Sequence, residues 1–148
     1  VKDEILGKTG RKIPSMLDYQ VHISKDSMFN TPSVFPVYVS MLTLDWLKSL
    51  GGIEEIEKRN VEKAQLLYNE IDRNPLFKGA AATEDRSNMN VTFLLTDDSR
   101  KEEFDAICKA MGINGINGHR SVGGYRASIY NAMPIESVEV LVEIMKSL

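Results

Sequence analysis

The sequence has little that would tie it to a disulfide scaffold, a membrane or a nucleic acid. Its 148 residues include a single cysteine, Cys108, so no disulfide can form within the chain and a reducing compartment is favoured. No apolar run approaches the roughly 18 residues of a membrane span, and no secretory or transit signal is recognisable. The net charge of −3 argues against nucleic-acid binding through a broad basic face. We therefore expect a soluble cytoplasmic protein that binds neither nucleic acid nor membrane.

Several familiar kinds of catalytic site are missing as well. The two histidines, His22 and His119, are far apart and have no cysteines at zinc-ligand spacing, so no metal site is expected. There is no phosphate-loop motif and no nucleophile elbow. Cys108 falls on an apolar helical stripe, which predicts a core residue rather than a nucleophile. No lysine has an apolar setting that would clearly depress its pKa.

What is present is the composition of a globular domain, with 43% hydrophobic and 26% charged residues. The length suits one domain, or one domain with a piece of another, and the start at Val1 leads us to expect a segment of a longer protein. Residues 1–30 are rich in loop formers, and a weak alternation over 17–23 predicts a short strand. This stretch has too few large apolar residues to form a core alone, so we expect it to pack on something outside this sequence.

The middle of the chain predicts a helix that is apolar on every side. Thr31 is a good N-cap and Pro32 suits the first helical position, although Pro36 crowds the first turn and allows a later start. Apolar residues then surround the helix over 37–50, until the glycine pair at 51–52 ends it. A helix of this kind is usually buried on all sides, as between two domains or two subunits.

From residue 51 onward the pattern alternates between helices and strands. We predict an amphipathic helix over 53–71, a strand over 89–95, a helix beginning at a capping box of Ser99 and Glu102, and a last helix from Pro134. A short strand or turn containing Ile113 and Ile116 and a further strand over 126–130 complete the pattern. The stripe of the first helix consists of Ile53, Ile56, Ala64, Leu67, Tyr68 and Ile71. These elements predict an α/β fold whose helices pack on one sheet.

A glycine-rich turn at 118–124 is the strongest candidate for a binding site. It carries His119 and Arg120, and Arg126 follows it on a predicted strand, facing away from the core. The planar guanidinium of Arg126 can hold a carboxylate with two parallel hydrogen bonds, while His119 and Arg120 can hold a second anion such as phosphate. The residues alone leave alternatives open: a tight turn with solvated basic groups, a surface ion pair of Arg126, or a His119 side chain bonded to the backbone.

A second candidate lies just ahead of the apolar helix. A helix N-terminus has free N–H groups and a partial positive charge, so it can bind phosphate, and Asn30 and Thr31 would add side-chain donors. The alternative for these two residues is plain N-capping.

Several blocks of residues stand in a characteristic order: PSMLDY at 14–19, DSMFNTP at 26–32, WLK at 46–48, RSNMNV at 86–91, and GHRSVGG at 118–124, leading through Arg126 to YNAM at 130–133. Taken together, these blocks resemble the phosphoserine aminotransferases, which are class-V aminotransferases of fold type I that use pyridoxal 5'-phosphate. The resemblance covers essentially the whole chain but only the C-terminal portion of the family.

The resemblance implies a role for each candidate residue. Arg126 matches the arginine that binds the α-carboxylate of the substrate, and His119 and Arg120 match a pair that helps to hold the substrate phosphate. Asn30 and Thr31 match residues that reach across a homodimer to the cofactor phosphate of the other subunit.

The resemblance also implies a domain organisation. Residues 1–36 match a remnant of the large cofactor-binding domain, 37–50 match an interdomain helix, and 51–148 match the small C-terminal α/β domain. In this family an amino group passes between glutamate and 3-phosphohydroxypyruvate, giving 2-oxoglutarate and phosphoserine, in serine biosynthesis; some members also serve pyridoxine biosynthesis.

The chain departs from the family in three respects. The lysine that forms the Schiff base has no match here, so the resemblance predicts that this chain alone is inactive. The family often has a proline where Ser33 stands and a smaller or unbranched apolar residue where Tyr125 stands, beside the carboxylate ligand.

Two other hypotheses for the function are another fold-type I aminotransferase and a stand-alone α/β module that binds an anion.

Overall fold

The computed structural model describes residues 1–121 and 123–148, and Val122 of the glycine-rich turn lies outside the described residues. The chain divides into two compact units, Val1–Trp46 and Leu47–Leu148. Within the described residues no helix has both the length and the apolar character needed to cross a bilayer.

The first unit consists of short helical segments. Two single 3₁₀ turns, Asp3–Ile5 and Ser15–Leu17, precede helix α1, Tyr19–Ile23. The strand predicted over 17–23 is therefore wrong. Its weak alternation loses to a local cap, because the Asp18 carboxylate accepts a hydrogen bond from the Gln20 backbone N–H at 2.9 Å and starts a helix.

The apolar helix, α2, spans Val34–Ser49. Thr31 and Pro32 precede it, so the later start that Pro36 allowed is confirmed. Pro36 is its third residue, a position where the backbone N–H has no partner within the helix and a proline is tolerated. No residue of α2, all of which the structure describes, is buried. Its exposed large apolar residues are Val34, Phe35, Val37, Tyr38, Val39, Met41, Leu42, Leu44 and Trp46.

The second unit begins as α2 ends and has the predicted α/β character. Its elements are α3 (Gly52–Arg73), β1 (Phe77–Gly79), β2 (Asn90–Leu95), α4 (Lys101–Ala110), β3 (Tyr125–Ser128) and α5 (Ile135–Ser147). The three strands form one antiparallel sheet in the order β1-β2-β3, with Phe77 opposite Leu95 and Arg126 opposite Thr92. Helices α3, α4 and α5 contribute to the core on one face of this sheet.

Helix α3 follows its predicted amphipathic pattern, with one exception. Ile56, Ala64, Leu67, Tyr68 and Ile71 are buried, but Ile53 is 78% exposed because it lies in the first turn, ahead of the packed part of the helix. On the solvent side Arg59 and Glu55 form an i, i+4 ion pair at 2.9 Å. The helix ends at Arg73, directly before Asn74 and Pro75, because the residue that precedes a proline is disfavoured in a helix.

Three local features differ from the sequence-based expectations. Strand β1 was not predicted, because three residues are too few to show an alternating pattern. Of the strand and the turn that the sequence left open for the segment containing Ile113 and Ile116, the strand is wrong, because this segment is a loop. The predicted capping box is wrong: a 3₁₀ turn over Asp98–Arg100 leads into α4, and the Asp97 carboxylate accepts a hydrogen bond from the Ser99 backbone N–H at 2.9 Å.

The core is centred on aromatic rings contributed by several elements. Phe93 and Phe104 are fully buried, and Phe77 packs edge-on against both of them. Cys108 is buried beside this cluster, as predicted, and burial raises the pKa of its thiol to about 11. A thiol so protected from ionisation is a packing residue, not a nucleophile.

Candidate anion-binding site

The outer face of the sheet presents a row of polar side chains. On β3 and just beyond it, Ala127 and Ile129 point into the core, so Arg126, Ser128 and Tyr130 project from the opposite face. The strand pairing sets Thr92 opposite Arg126 and Asn90 opposite Ser128. Asn90 Oδ1 accepts hydrogen bonds from Tyr130 Oη at 3.1 Å and from Ser128 Oγ at 3.4 Å.

Arg126 has no carboxylate partner among the described residues on this face. Arg59, Arg73, Arg86 and Arg100 each have a carboxylate oxygen within 4 Å. Arg126 is exposed and belongs to no ion pair among the described residues. The surface ion pair that the sequence left open thus finds no partner in the described part of the chain, and the guanidinium is available to an anion from outside it.

The glycine-rich turn is closed by backbone hydrogen bonds. Gly118 N–H donates to Gly124 O at 2.8 Å, and Gly123 N–H donates to His119 O at 2.8 Å. A Cβ at position 118 would come within 2.1 Å of Gly123 O. The two arms of the turn are therefore closer than a residue with a side chain at position 118 would allow. This closure places His119 and Arg120 at the tip of the turn, ahead of the strand that carries Arg126.

Gly124 provides a test of how tightly the turn is built. It has a φ of +63°, and an added Cβ would lie 2.3 Å from Leu94 Cδ2 and 2.7 Å from Phe93 O. We expect Gly124→Ala to lower the free energy of unfolding by about 2–5 kcal/mol, from left-handed backbone strain plus overpacking. Gly123→Ala is the matched control, because its φ is +75° but no described atom lies within 4 Å; it should cost only about 1–2 kcal/mol in urea unfolding. Equal losses would show that crowding at Gly124 is unimportant.

His119 is oriented by its neighbour Ser121. The Ser121 backbone N–H donates to His119 Nδ1 at 3.3 Å, and Ser121 Oγ lies 2.8 Å from the same nitrogen. Since Nδ1 accepts, the proton of the neutral ring is on Nε2, which is left as a donor. The His119 ring is therefore bonded to the backbone through Nδ1, and its Nε2–H is still available to donate to a ligand. Arg120 is exposed, and no hydrogen bond or ion pair of the described residues joins it or His119 to Arg126.

A cavity of about 310 Å³ opens beside the edge strand β3. Its wall includes the loop 111–116, residues 126–129 of β3 and just beyond it, and the first turns of α5. Most of the lining side chains are apolar. The loop is fastened to the strand where Arg126 N–H donates to Ile116 O at 2.7 Å. Arg126 contributes to this wall, whereas His119 and Arg120 do not.

Asn30 and Thr31 lie in the first unit, on the loop that precedes α2. Because α2 begins at Val34, neither residue is its N-cap, and the capping alternative is wrong. Both are exposed, and no hydrogen bond among the described residues involves either side chain. Just upstream, Asp26 and Ser27 adopt left-handed backbone with φ of 49° and 65°, a conformation that non-glycine residues adopt at a cost.

One buried polar residue, Lys63, was missed by the sequence reasoning. It is 2% exposed, and burial lowers its pKa, contrary to the expectation that no lysine is so placed. Its Nζ donates to the carbonyl oxygens of Ile129, Tyr130 and Met133 at 3.1, 2.7 and 3.0 Å. The signal was its position: Lys63 lies four residues before Leu67 and so falls on the buried stripe of α3.

Arg86 of the RSNMNV block and Tyr125 beside Arg126 serve the fold rather than a ligand. Arg86 makes two hydrogen bonds to the Asp72 carboxylate, at 2.6 and 2.7 Å, and lies over the Tyr68 ring. Tyr125 points into the core, where its hydroxyl donates to Asp105 at 2.8 Å, so this departure from the family pattern does not face the Arg126 side of the sheet. Among the described residues, no cluster of histidine, cysteine, aspartate and glutamate is arranged to hold a metal.

Residues 4–141 match the family model for class-V aminotransferases. The chain belongs to the class-V aminotransferase family. This family membership agrees with the resemblance seen in the sequence motifs.

Relatives within this family are named phosphoserine aminotransferases. The chain is 71% identical to that of Flavobacterium johnsoniae and 68% identical to that of Flavobacterium psychrophilum, in each case over 100% of this chain and 42% of the relative. The chain therefore spans less than half the length of the curated relatives that it matches.

Solved structures of class-V relatives share the fold. A phosphoserine aminotransferase studied for radiation damage of its Schiff base matches with a TM-score of 0.87 and 47% identity, over 99% of this chain and 41% of that one. The enzyme of Bacillus circulans subsp. alkalophilus matches with a TM-score of 0.87 and 38% identity, over the same shares. The predicted fold, part of an α/β transferase of this family, is confirmed.

Proposed function

We propose that this chain is the C-terminal part of a phosphoserine aminotransferase and forms its substrate-binding side. The complete enzyme would transfer an amino group between glutamate and 3-phosphohydroxypyruvate, giving 2-oxoglutarate and phosphoserine, in the serine biosynthesis of the cytoplasm. The observation that carries this proposal is Arg126, an exposed guanidinium without a carboxylate partner among the described residues, on the outer face of the sheet. The names of the relatives supply the substrate class.

Each cation of the site has an anion that suits its chemistry. Arg126 offers a planar fork of donors that matches the α-carboxylate shared by all the proposed substrates. His119 Nε2–H and the Arg120 guanidinium would bind the substrate phosphate, whose charge and several acceptor oxygens suit more than one donor. Fixing both ends of the substrate orients its reacting carbon without any further contact from this chain.

The proposed cofactor is pyridoxal 5'-phosphate, and the loop before α2 fits its phosphate. Asn30 and Thr31 present an amide and a hydroxyl that are exposed and engaged in no hydrogen bond of the described residues. Such neutral donors can bind phosphate oxygens, and we propose that they do so across the homodimer, in the other subunit. When bound, the cofactor would act as an electron sink for the substrate amine, while this chain holds and orients.

The proposal also accounts for the apolar surface of α2. Phe35 is 76% exposed and Val34 is 68% exposed. The structure describes every residue of α2, and none of them is buried. Surface of this kind is typical of an interface. We propose that 37–50 is an interdomain helix between a large-domain remnant at 1–36 and the small domain at 51–148, and that the enzyme is a homodimer.

The phosphate assignment distinguishes this proposal from another aminotransferase or an anion-binding module. We expect Arg120→Met, in the full-length protein, to raise the KM for phosphoserine about 10- to 100-fold, because a charge-assisted hydrogen bond contributes about 1.5–3 kcal/mol. The affinity for serine, which has no phosphate, should change less than about threefold because the lost charge has no counterpart in it. Steady-state kinetics and competition by serine measure the two values.

Lys109→Met removes a positive charge from an exposed position on α4 and is the matched control. It should leave both affinities unchanged. Equal losses of affinity for phosphoserine and serine in Arg120→Met would mean that Arg120 does not read the phosphate.

A further inference from the structure

Two side chains of helix α3 form hydrogen bonds to the segment that follows strand β3. Lys63 is 2% exposed, and its ammonium group has three N–H donors. All three are used, on the carbonyl oxygens of Ile129, Tyr130 and Met133. One helical turn earlier, the Asn60 amide donates to Asn131 Oδ1 at 2.8 Å. Two side chains of one helix thus bind one five-residue segment, 129–133.

The burial of Lys63 restricts the backbone conformation of the segment that it binds. A buried ammonium group is costly unless every donor is paired, so the three carbonyls must converge on one point for the fold to be stable. Convergence of the carbonyls of residues 129, 130 and 133 allows the segment little freedom. It also leaves the amine no proton-free lone pair, so Lys63 has no role as a nucleophile.

The segment held by Lys63 is continuous with the outer face of the sheet. Tyr130 has its backbone carbonyl on Lys63 and its hydroxyl on Asn90 Oδ1, at 3.1 Å, on the solvent side. Asn90 lies opposite Ser128, two residues from Arg126 along the same face. Just beyond the Asn90–Ser128 pair, Ile129 N–H donates to Met89 O at 3.0 Å. Fixing Tyr130 from behind therefore fixes the strand that presents Arg126.

We propose that Lys63 is a positioning residue for substrate binding, which acts by holding the end of β3 so that Arg126 meets the substrate carboxylate in a bidentate geometry. The inference rests on the proposed function, because it needs Arg126 to be the carboxylate ligand. Lys63 touches no substrate; its effect passes through the 129–133 segment and the Tyr130–Asn90 hydrogen bond.

The test uses Lys63→Met in the full-length protein with its cofactor. Methionine keeps the length and the apolar stem of the side chain but donates to none of the three carbonyls. We expect the KM for phosphoserine to rise about tenfold while kcat falls less than about threefold, and the amide of Ile129 to exchange faster with deuterium. Lys58→Met is the matched control, since Lys58 lies on the exposed face of the same helix, and it should change none of these values.

A second variant guards against a Lys63→Met protein that does not fold. Tyr130→Phe leaves Lys63 and the backbone in place but removes the hydroxyl that bonds Asn90, and we expect a three- to tenfold rise in KM. A folded Lys63→Met with unchanged KM, or an unchanged KM in Tyr130→Phe when Lys63→Met is unfolded, would overturn the inference. If the unaltered protein fails to use phosphoserine, the proposed function has failed instead, and faster Ile129 exchange in Lys63→Met would then show only that Lys63 holds the 129–133 segment.

Discussion

Replacing Arg126 with methionine is expected to lower kcat/KM for phosphoserine by about a thousandfold in the full-length protein. The arginine has no carboxylate partner among the described residues, so its loss leaves no orphaned acidic group in the fold. What is lost is a bidentate, charge-assisted contact to the substrate carboxylate, together with the orientation it gives to the reacting carbon. A loss of about 4 kcal/mol corresponds to about three decades in rate. Steady-state kinetics with phosphoserine gives the ratio.

The same experiment contains its own controls. Arg59→Met removes an arginine from the exposed face of α3, where it pairs with Glu55, and should leave kcat/KM unchanged. Arg126→Lys keeps the charge but not the planar fork, so it should recover only part of the loss. The thermal midpoint of Arg126→Met should stay close to that of the unaltered protein. A less than threefold change in kcat/KM would mean that Arg126 is not the carboxylate ligand.

The sequence was informative wherever a periodic pattern was long. Helix α3 has 22 residues, and its stripe predicted the buried positions Ala64, Leu67 and Ile71. Strand β2 alternates over six residues, with Val91 and Phe93 buried. The outward direction of Arg126 followed from the inward direction of Ala127, which needs only the two-residue period of a strand. In each case one physical rule, the burial of one face, determines the structure.

The errors fall where elements are short or where a polar group is buried. Strand β1 has three residues and α1 has five, too few for a period to be distinguished from chance. In α1 a single cap, Asp18, decided between helix and strand. Lys63 was missed for a different reason: what makes its burial tolerable is three carbonyls more than 60 residues away, and long-range contacts are invisible to a local pattern.

The structure also separates two kinds of residue that a motif presents together. In the RSNMNV block, Arg86 binds Asp72 and covers Tyr68, whereas Asn90 lies on the outer face beside the Arg126 strand. A motif therefore identifies the family, but burial and partners decide which of its residues remain available to a ligand. By that criterion Arg126, Arg120, Asn30 and Thr31 are available, and Arg86 is not.

The 148-residue chain by itself is expected to show no amino-group transfer, even with pyridoxal 5'-phosphate supplied. None of residues 1–46, each of which the structure describes, is buried, so the loop carrying Asn30 and Thr31 has no core of its own to hold it. The chain also lacks a free buried amine in the part that the structure describes: Lys63 gives all its donors to carbonyls. A transaminase needs such an amine to bind the cofactor covalently and to carry the proton during amino-group transfer.

This expectation is checked with the purified chain and phosphoserine, by measuring the 2-oxoglutarate consumed over hours at high protein concentration. The full-length protein, prepared in the same way, shows that the assay works, and Lys63→Met in the chain separates the two sources of a positive signal. Turnover by the chain that vanished in Lys63→Met would identify Lys63 as a reactive amine and contradict the geometry described above. Turnover that survived the substitution would mean that another lysine suffices, and that the proposed division of labour between this chain and the rest of the enzyme is wrong.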